Sequence, residues 1–299
     1  MGNVCSSCED GKRRGAEDMP PEELPDVVLD ALKASPKADE KKEATKDGEK
    51  KVLNHVWEIP EAQARLQGIV DAARSGCFAQ GQEPVAVELA FTNGSYYQGQ
   101  MVEKKKWGSG KYTSKEGRIY EGQWNNDRCN GKGHLKDLES FYYGFWANGS
   151  KEGEGYEIWH ADGTQYIGQH SNSMKNGTGV YIWNDGTRYV GSFKNDVIEG
   201  EGVFHDRDGV YKGAFVDSLQ HGYGTYTYTD GSVYTGQFQE GERHGQGKIA
   251  WEDGSSYEGQ WADNAMHGTG VVVVKSGTQQ KVVYEHGIQV GGDKVEEKK

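Results

Sequence analysis

The chain has 299 residues, among them 44 glycines, 17 tyrosines and 8 tryptophans, while hydrophobic residues make up only 34%. That leaves little aliphatic material for a large buried centre, whereas a single-layer sheet needs less. A formal charge of −12 argues against nucleic acid as a partner, and no run of 18 or more apolar residues is present to span a membrane.

The chain opens Met1-Gly2-Asn3-Val4-Cys5-Ser6-Ser7-Cys8, which fits the Met-Gly-x-x-x-Ser signal for N-myristoylation on Gly2. One myristoyl chain binds a membrane only marginally, so a second signal is needed, and palmitoylation of Cys5 or Cys8 would supply it. Lys12, Arg13 and Arg14 add a short basic patch. The bland alternative is a chance match beside ordinary thiols. An apolar signal-peptide core is missing, so the expected place is the cytoplasmic face of a membrane, with Cys5, Cys8, Cys77 and Cys129 reduced. In that compartment the Asn-Gly-Ser/Thr sequences at Asn93, Asn148 and Asn176 read as turns, not glycosylation sites.

Residues 1–14 thus form an acylation signal with a basic patch. From 15 to 59 the composition turns to Pro, Glu, Lys, Asp and Ala and reads as a disordered tether, within which Asp26–Lys33 has the pattern of two helical turns. A proline start and apolar residues at Ala62, Leu66, Ile69, Val70 and Ala73 predict a helix within 60–78. Its plain role is to pack on the first hairpin and cap the open end of a strand array, with partner docking as the alternative. Val85 to Phe91 reads as a lone strand.

A repeat then begins. Aligned on the tyrosine of Tyr-x-Gly, the copies start at Tyr97, Tyr120, Tyr142, Tyr166, Tyr189, Tyr211, Tyr234 and Tyr257, with gaps of 23, 22, 24, 23, 22, 23 and 23 residues. An aromatic two residues after the glycine is usual, and Met101 and His170 are the exceptions. Seven residues later comes a Gly-x-Gly pair such as Gly245 with Gly247, expected to come after a six-residue connection. A second aromatic run and a turn, mostly Asp-Gly, close each unit, so each copy predicts two short strands.

Turn length decides which face each ring occupies. A three-residue loop ending in a left-handed Gly231 pairs Tyr228 with Ser232, Tyr226 with Tyr234 and Gly222 with Phe238. That register gathers the rings and their glycines on one face and leaves Thr225, Thr227, Val233, Thr235 and Gln237 on the other. The glycine between two rings, as in Tyr234-x-Gly236-x-Phe238, makes room for aromatic side chains to lie over the backbone.

Tyr-x-Gly-x-(Trp/Phe), then Gly-x-Gly, then an aromatic strand and Asp-Gly resembles the MORN repeat (membrane occupation and recognition nexus), over about sixty per cent of the chain. The second copy departs most, with Leu138-Glu139 where Asp-Gly would stand. The resemblance implies an elongated, single-layer antiparallel sheet of hairpin repeats, an all-β array used as a scaffold for proteins or membranes. Residues 85–290 would form that array, with eight repeats from about 97 to 279, an aliphatic terminal hairpin hiding the last edge, and a charged tail at 291–299.

No phosphate loop, nucleophile elbow or His-Glu-x-x-His site is present, so neither an enzyme nor a cofactor is expected. His221, His244 and His267 recur at one repeat position, too far apart to share a metal ion. Function then rests on surface and location. A single layer has no second sheet to cover its rings, so Tyr166, Tyr189, Phe193, Tyr211, Phe215, Tyr234, Phe238, Tyr257 and Trp261 are expected to line an exposed groove. The expected function is a membrane-anchored scaffold whose groove takes a protein segment or a second copy of the chain. The alternatives are phospholipid binding by the repeats, or a regulatory subunit for an enzyme supplied in trans. From Ala90 to Gly270 there are 17 Lys and Arg against 24 Asp and Glu, which disfavours adsorption to anionic lipid.

Overall fold

The computed structural model describes residues 60–71, with side chains up to residue 69, and residues 83–293. The chain divides into compact units at residues 1–46 and 47–299, and the described residues all belong to the second. Gly2, Cys5, Cys8, the basic patch, the tether, Cys77 and residues 294–299 lie outside the described residues.

One helix, α1 (Pro60–Asp71), precedes nineteen strands. In order these are β1 (Val85–Ala90), β2 (Tyr96–Val102), β3 (Lys105–Thr113), β4 (Ile119–Asn125), β5 (Arg128–Lys136), β6 (Ser140–Ala147), β7 (Ser150–Trp159), β8 (Gln165–Ser171) and β9 (Met174–Ile182). They continue as β10 (Arg188–Lys194), β11 (Val197–His205), β12 (Gly209–Val216), β13 (Leu219–Tyr228), β14 (Val233–Gln239), β15 (Glu242–Ala250), β16 (Ser256–Ala262), β17 (Ala265–Val273), β18 (Gln279–Glu285) and β19 (Ile288–Gly292). Each strand pairs antiparallel with the next in the chain, giving one open sheet.

The turns explain the period. Tyr228 N donates to Ser232 O at 2.8 Å and Gly231 N to Tyr228 O at 3.1 Å, with Gly231 at φ 86°, a conformation that costs glycine no Cβ clash. Gly222 therefore stands opposite Phe238 and Tyr226 opposite Tyr234, the register expected from the rings. Copies 22 residues long shorten this loop by one. Asp137 N bonds Ser140 O across Leu138-Glu139, and Asp206 N bonds Gly209 O across Arg207-Asp208. Gly209 consequently sits in β12 and not in the turn, so Asp208-Gly209 is not the Asp-Gly turn that the sequence suggests. The 24-residue copy lengthens its loop instead, from Trp159 to Thr164. Loop length absorbs the variation and the rings stay in register.

The second turn of each repeat corrects the expected six-residue connection. Glu240 and Gly241, both at positive φ (52° and 84°), form a two-residue hairpin turn, and β15 resumes at Glu242. Gly236 lies opposite Gly247 while Gln237 lies opposite His244, so Gly245 and Gln246 are extra residues in a bulge. Gly245 holds φ 61° there, and the Gln237 amide oxygen fills the bulge by accepting Gln246 N at 2.7 Å. The same glutamine bond recurs from Gln100, Gln123, Gln169 and Gln260.

Each of the eight repeat tyrosines donates its hydroxyl to the carbonyl three residues ahead, at 2.8 to 3.2 Å. Its ring lies over two glycines. An alanine Cβ at Gly236 or Gly247 would come within 2.5 Å of the Tyr234 hydroxyl. Burial pushes the Tyr97, Tyr189 and Tyr211 phenols up to about 12, so they remain protonated donors.

Helix α1 does not cap the first hairpin. It packs on β7 and β8 in the middle of the sheet, burying Ala62, Leu66 and Ile69 completely or nearly so. The reason lies in the opposite face of those strands, where Tyr143, Tyr156, Ile167 and Val180 form a buried cross-strand row. Arg65 Nη1 pairs with Glu154 at 2.8 Å, Arg65 Nη2 reaches the Thr178 hydroxyl at 2.5 Å, and Lys132 Nζ donates to Ile69 O. At the far end β19 stays in the sheet plane and leaves Ile288 70% exposed, so the terminal hairpin does not hide the edge.

Candidate functional site

The nine rings expected to line an open groove are gathered on one face, and all are buried. Tyr166, Tyr189, Tyr211, Tyr234 and Tyr257 have no exposure, and Phe193, Phe215, Phe238 and Trp261 have 5% or less. A thin sheet covers them because each tyrosine sinks onto its glycines and is then hemmed in edge-on. Tyr234, for example, meets Phe238 at 5.2 Å and Trp261 at 5.0 Å, both near perpendicular. These residues are an internal spine and the floor of the face. They do not offer surfaces of their own.

Accessible aromatic surface comes from the second strand of each repeat, which the sequence reading passed over. Trp159, Tyr181, Trp183, Phe204, Tyr228 and Trp251 are only half-buried against the spine. They stack onward, Trp159 to Tyr181 at 6.1 Å, Tyr181 to Trp183 at 4.7 Å and Trp183 to Phe204 at 5.7 Å. The signal was present, since Tyr181 and Trp183 stand two apart and must share a face. Across the floor stand Lys175, Ile198, Gln220 and Arg243, the strand partners of His170, Phe193, Phe215 and Phe238. Between the two rims runs a groove of about 510 Å³, floored by Phe193 and Phe215 and closed by Leu219. A larger hollow of about 1000 Å³ on the opposite face, over β15 to β18, is lined both by polar side chains such as Gln246, Lys248 and Lys281 and by Val271, Val273 and Val283.

The two kinds of aromatic differ in hydrogen bonding. Spine residues Trp124, Trp146 and Trp261 donate their indole N–H to glycine carbonyls at 2.8 to 3.1 Å. The rim indoles of Trp159, Trp183 and Trp251 have no such partner among the described residues, and their residues are only partly buried. A rim of rings with free donors suits a ligand that brings acceptors.

Cations on this face lie down on the rings. Lys175 Nζ is 5.1 Å from the Trp159 ring centroid and pairs with Asp196 at 3.0 Å. The Arg243 guanidinium lies 4.7 Å from the Trp261 ring centroid and bonds Asn264 O.

One place breaks the spine. Where six repeats carry a Phe or Trp and the first carries Met101, β8 has His170, and where the others carry an aromatic or aliphatic residue, β7 has Glu157. His170 is 3% exposed, edge-on to Tyr142 and Tyr166. Its Nε2 stands 3.7 Å from Glu157 Oε2, beyond hydrogen-bond reach, and both ring nitrogens lack partners in the described residues. Lys151 Nζ pairs with the other Glu157 oxygen, which also accepts Ser140 Oγ at 3.3 Å. Burial alone would raise the Glu157 carboxyl, but His170 and Lys151 outweigh it and hold it below the usual range. On the tyrosine face the buried rings on either side of this node form separate clusters.

Among the described residues no group of three His, Cys, Asp or Glu is placed to hold a metal ion. His221 and His244 are exposed and isolated on the face opposite the rings. Burial pushes the Cys129 thiol up to about 11, which makes it a poor nucleophile.

Among solved structures the sheet is similar to two TCP domains. One is the TCP10 domain of Danio rerio CPAP in complex with a peptide of Danio rerio STIL, with 9% identity over 67% of this chain and 84% of that one, at a TM-score of 0.38. The other is the SAS-4 (dCPAP) TCP domain of Drosophila melanogaster in complex with a proline-rich motif of Ana2 (dSTIL), with 8% identity over 71% and 97% of the two chains, at a TM-score of 0.27. No curated protein matches the sequence. The family model for the MORN repeat matches eight times, at residues 97–117, 120–137, 142–164, 166–188, 189–210, 211–233, 234–256 and 257–279, and its tyrosine-anchored hairpins are those described above. The chain belongs to the MORN repeat family.

Proposed function

We propose that the chain is a non-enzymatic adaptor, held at a membrane by acyl chains on Gly2 and on Cys5 or Cys8, whose repeats capture a segment of a protein partner on the tyrosine face. The observation that carries this reading is the groove between the half-buried rings of Tyr181, Trp183 and Phe204 and the Ile198 to Leu219 rim, with the Trp183 indole along one side. A polypeptide supplies both the apolar side chains for such a floor and the carbonyl acceptors for such a rim.

Phospholipid recognition by the repeats is less well supported. Lys151 and Lys175 keep only about 15% of their side chains exposed and lie against rings and carboxylates, so they do not project toward a headgroup. A partner that is itself an enzyme would make the chain its regulatory subunit.

A photo-crosslinking residue in place of Tyr181, in the acylated full-length chain in cells, tests the groove. A discrete protein adduct is expected there and not from a residue in place of Thr225 on the opposite face. The adduct should vanish when Trp183 and Phe204 are changed to Ser. Equal adducts from both positions would refute the groove. Gly2→Ala should move the chain to the soluble fraction, and Cys5→Ser with Cys8→Ser should leave only weak membrane association. A Gly2→Ala variant that stays fully membrane-bound would shift the reading to lipid binding by the repeats.

A further inference from the structure

The two edges of the sheet are treated differently. β19 is five residues long, comes after a register break between Val283 and Tyr284, and ends at Gly291-Gly292. The sequence after it is dominated by charge. Shortness, irregularity and charge are the means by which proteins stop strands from adding to an edge. β1 is one residue longer and regular, and it carries a single charge, with Glu83 and Pro84 standing just before it. Its six residues pair with β2 in unbroken register from Val85 opposite Met101 to Ala90 opposite Tyr96, and no proline falls inside it. Among the described residues its outer side pairs with no strand. Val85 is 64% exposed and Leu89 36%. The lone charge, Glu88, is turned away from the edge, accepting Gln98 Nε2 on β2 at 3.0 Å.

We infer that β1 is a docking edge for a second copy of this chain, whose own β1 adds antiparallel across a two-fold axis and continues the sheet from one molecule into the next. Charge selects the register. Val85, Val87 and Leu89 share the tyrosine face with Met101, Gly99 and Tyr97, while Ala86 and Glu88 share the other. An axis normal to the sheet keeps the faces of the two copies aligned, so it must pass through a residue and not between two. Centred on Glu88 it would set two carboxylates directly opposite each other, which is destabilising. Centred on Val87 it pairs Val85 with Leu89 of the second copy and Ala86 with Glu88, giving an apolar row on one face and no facing like charges on the other. The interface is isologous, as a closed dimer requires. It is separate from the groove, which begins at β9, and joins two anchored chains so that each dimer carries two membrane attachments.

Sedimentation equilibrium of the full chain, produced without acylation, should show a mass rising from one chain toward two over about 1 to 100 µM. Val85→Lys with Leu89→Lys, both at exposed positions, should weaken association by about tenfold or more with unchanged circular dichroism. With Cys5, Cys8 and Cys77 replaced by Ser, Val87→Cys should form a disulfide-linked dimer under mild oxidation, because facing Cα atoms in an antiparallel pair stand about 4.5 to 5.5 Å apart. Glu88→Cys should not. A chain that stays monomeric, a dimer indifferent to the two lysines, or equal linking at 87 and 88 would each overturn the proposal. So would loss of the dimer in Trp183→Ser, which would place the contact in the groove.

Discussion

Gly247→Ala tests the idea that the spine exists because glycine lets tyrosine lie on the sheet. Gly247 has ordinary negative φ, so alanine costs nothing through its backbone. Its Cβ would instead sit 2.3 Å from Tyr234 Oη and 2.6 Å from Cε2 and Cζ. The ring has nowhere to go, with Phe238 and Trp261 edge-on beside it and its hydroxyl bound to Gln237 O at 3.0 Å. Overpacking of this kind costs about 1–3 kcal/mol, and the strained hydroxyl bond adds about 1 kcal/mol, so a loss of about 3 kcal/mol is expected. Gly254→Ala is the control. Nothing lies within 4 Å of its Cβ, but φ is 87°, so the cost is only the left-handed penalty of about 1–2 kcal/mol. Tyr234→Ala by itself should cost about 3–5 kcal/mol. In that background Gly247→Ala should cost less than about 0.5 kcal/mol, a coupling of about 2.5 kcal/mol. Urea unfolding followed by tryptophan fluorescence measures the sum, and hydrogen exchange at β14 to β16 locates it, since repeat arrays do not unfold as one unit. If the two substitutions simply add, the ring is not what excludes a side chain at Gly247 and the account of the repeat fails.

Glu157 is held below the usual carboxylate range, so its contribution is complete above the unfolded carboxyl pKa and is lost as pH falls through the depressed folded one. Glu157→Gln should cost about 3 kcal/mol at neutral pH by stranding Lys151, and should flatten the acid limb of a stability-versus-pH curve. An unchanged acid limb would mean that the node does not titrate with folding. Gln237→Ala should cost about 0.5–1.5 kcal/mol, the worth of one hydrogen bond, because Ala214 already occupies the equivalent bulge without distortion; thermal melts suffice to check it. Leu66→Ala should raise amide exchange on β7 and β8 and leave β2 and β3 unchanged, whereas a rise confined to β1 to β3 would restore the end-cap reading.

Much of this fold was legible because its repeat is enforced by sterics. The ring register followed from Tyr226, Gly231 and Tyr234 once a one-residue slip was seen to scatter rings over both faces. Even the irregular gaps had structural meaning, since the two copies short by one residue are those whose closing loop contracts to Leu138-Glu139 and Arg207-Asp208. Accessibility was not legible. It depends on how deeply Tyr234 settles over Gly236 and Gly247, a matter of ångströms that periodicity does not encode. The helix site was missed for a different reason. Phe141, Tyr143 and Phe145 form a second alternation, which makes the opposite face of β6 apolar where the matching positions of β4 hold Ile119, Glu121 and Gln123. The bulge glutamines were equally visible as Tyr-x-Gly-Gln in five copies, but their partner, an amide nine residues ahead, appears only once the strands are paired.

The helix and the polar node occupy the same strands. On the tyrosine face, Glu157 on β7 and His170 on β8 put polar groups into the apolar stack, although the His170 ring still meets Tyr142 and Tyr166 edge-on, and the buried apolar residues there divide into two clusters. On the other face those two strands carry Tyr156 and Ile167, and there α1 lays down Ala62, Leu66 and Ile69 and clamps β7 to β9 through Arg65, Glu154 and Thr178. Stability in a repeat array passes only between neighbours, so a weak junction would let the two halves of the sheet unfold separately. A buried carboxylate beside an unpaired imidazole contributes less there than the edge-to-face rings that it replaces. A helix bridging the junction from behind restores the coupling that the front lost. That accounts for its position over β7 and β8 rather than over the first hairpin, and it makes α1 a brace of the array and not its lid.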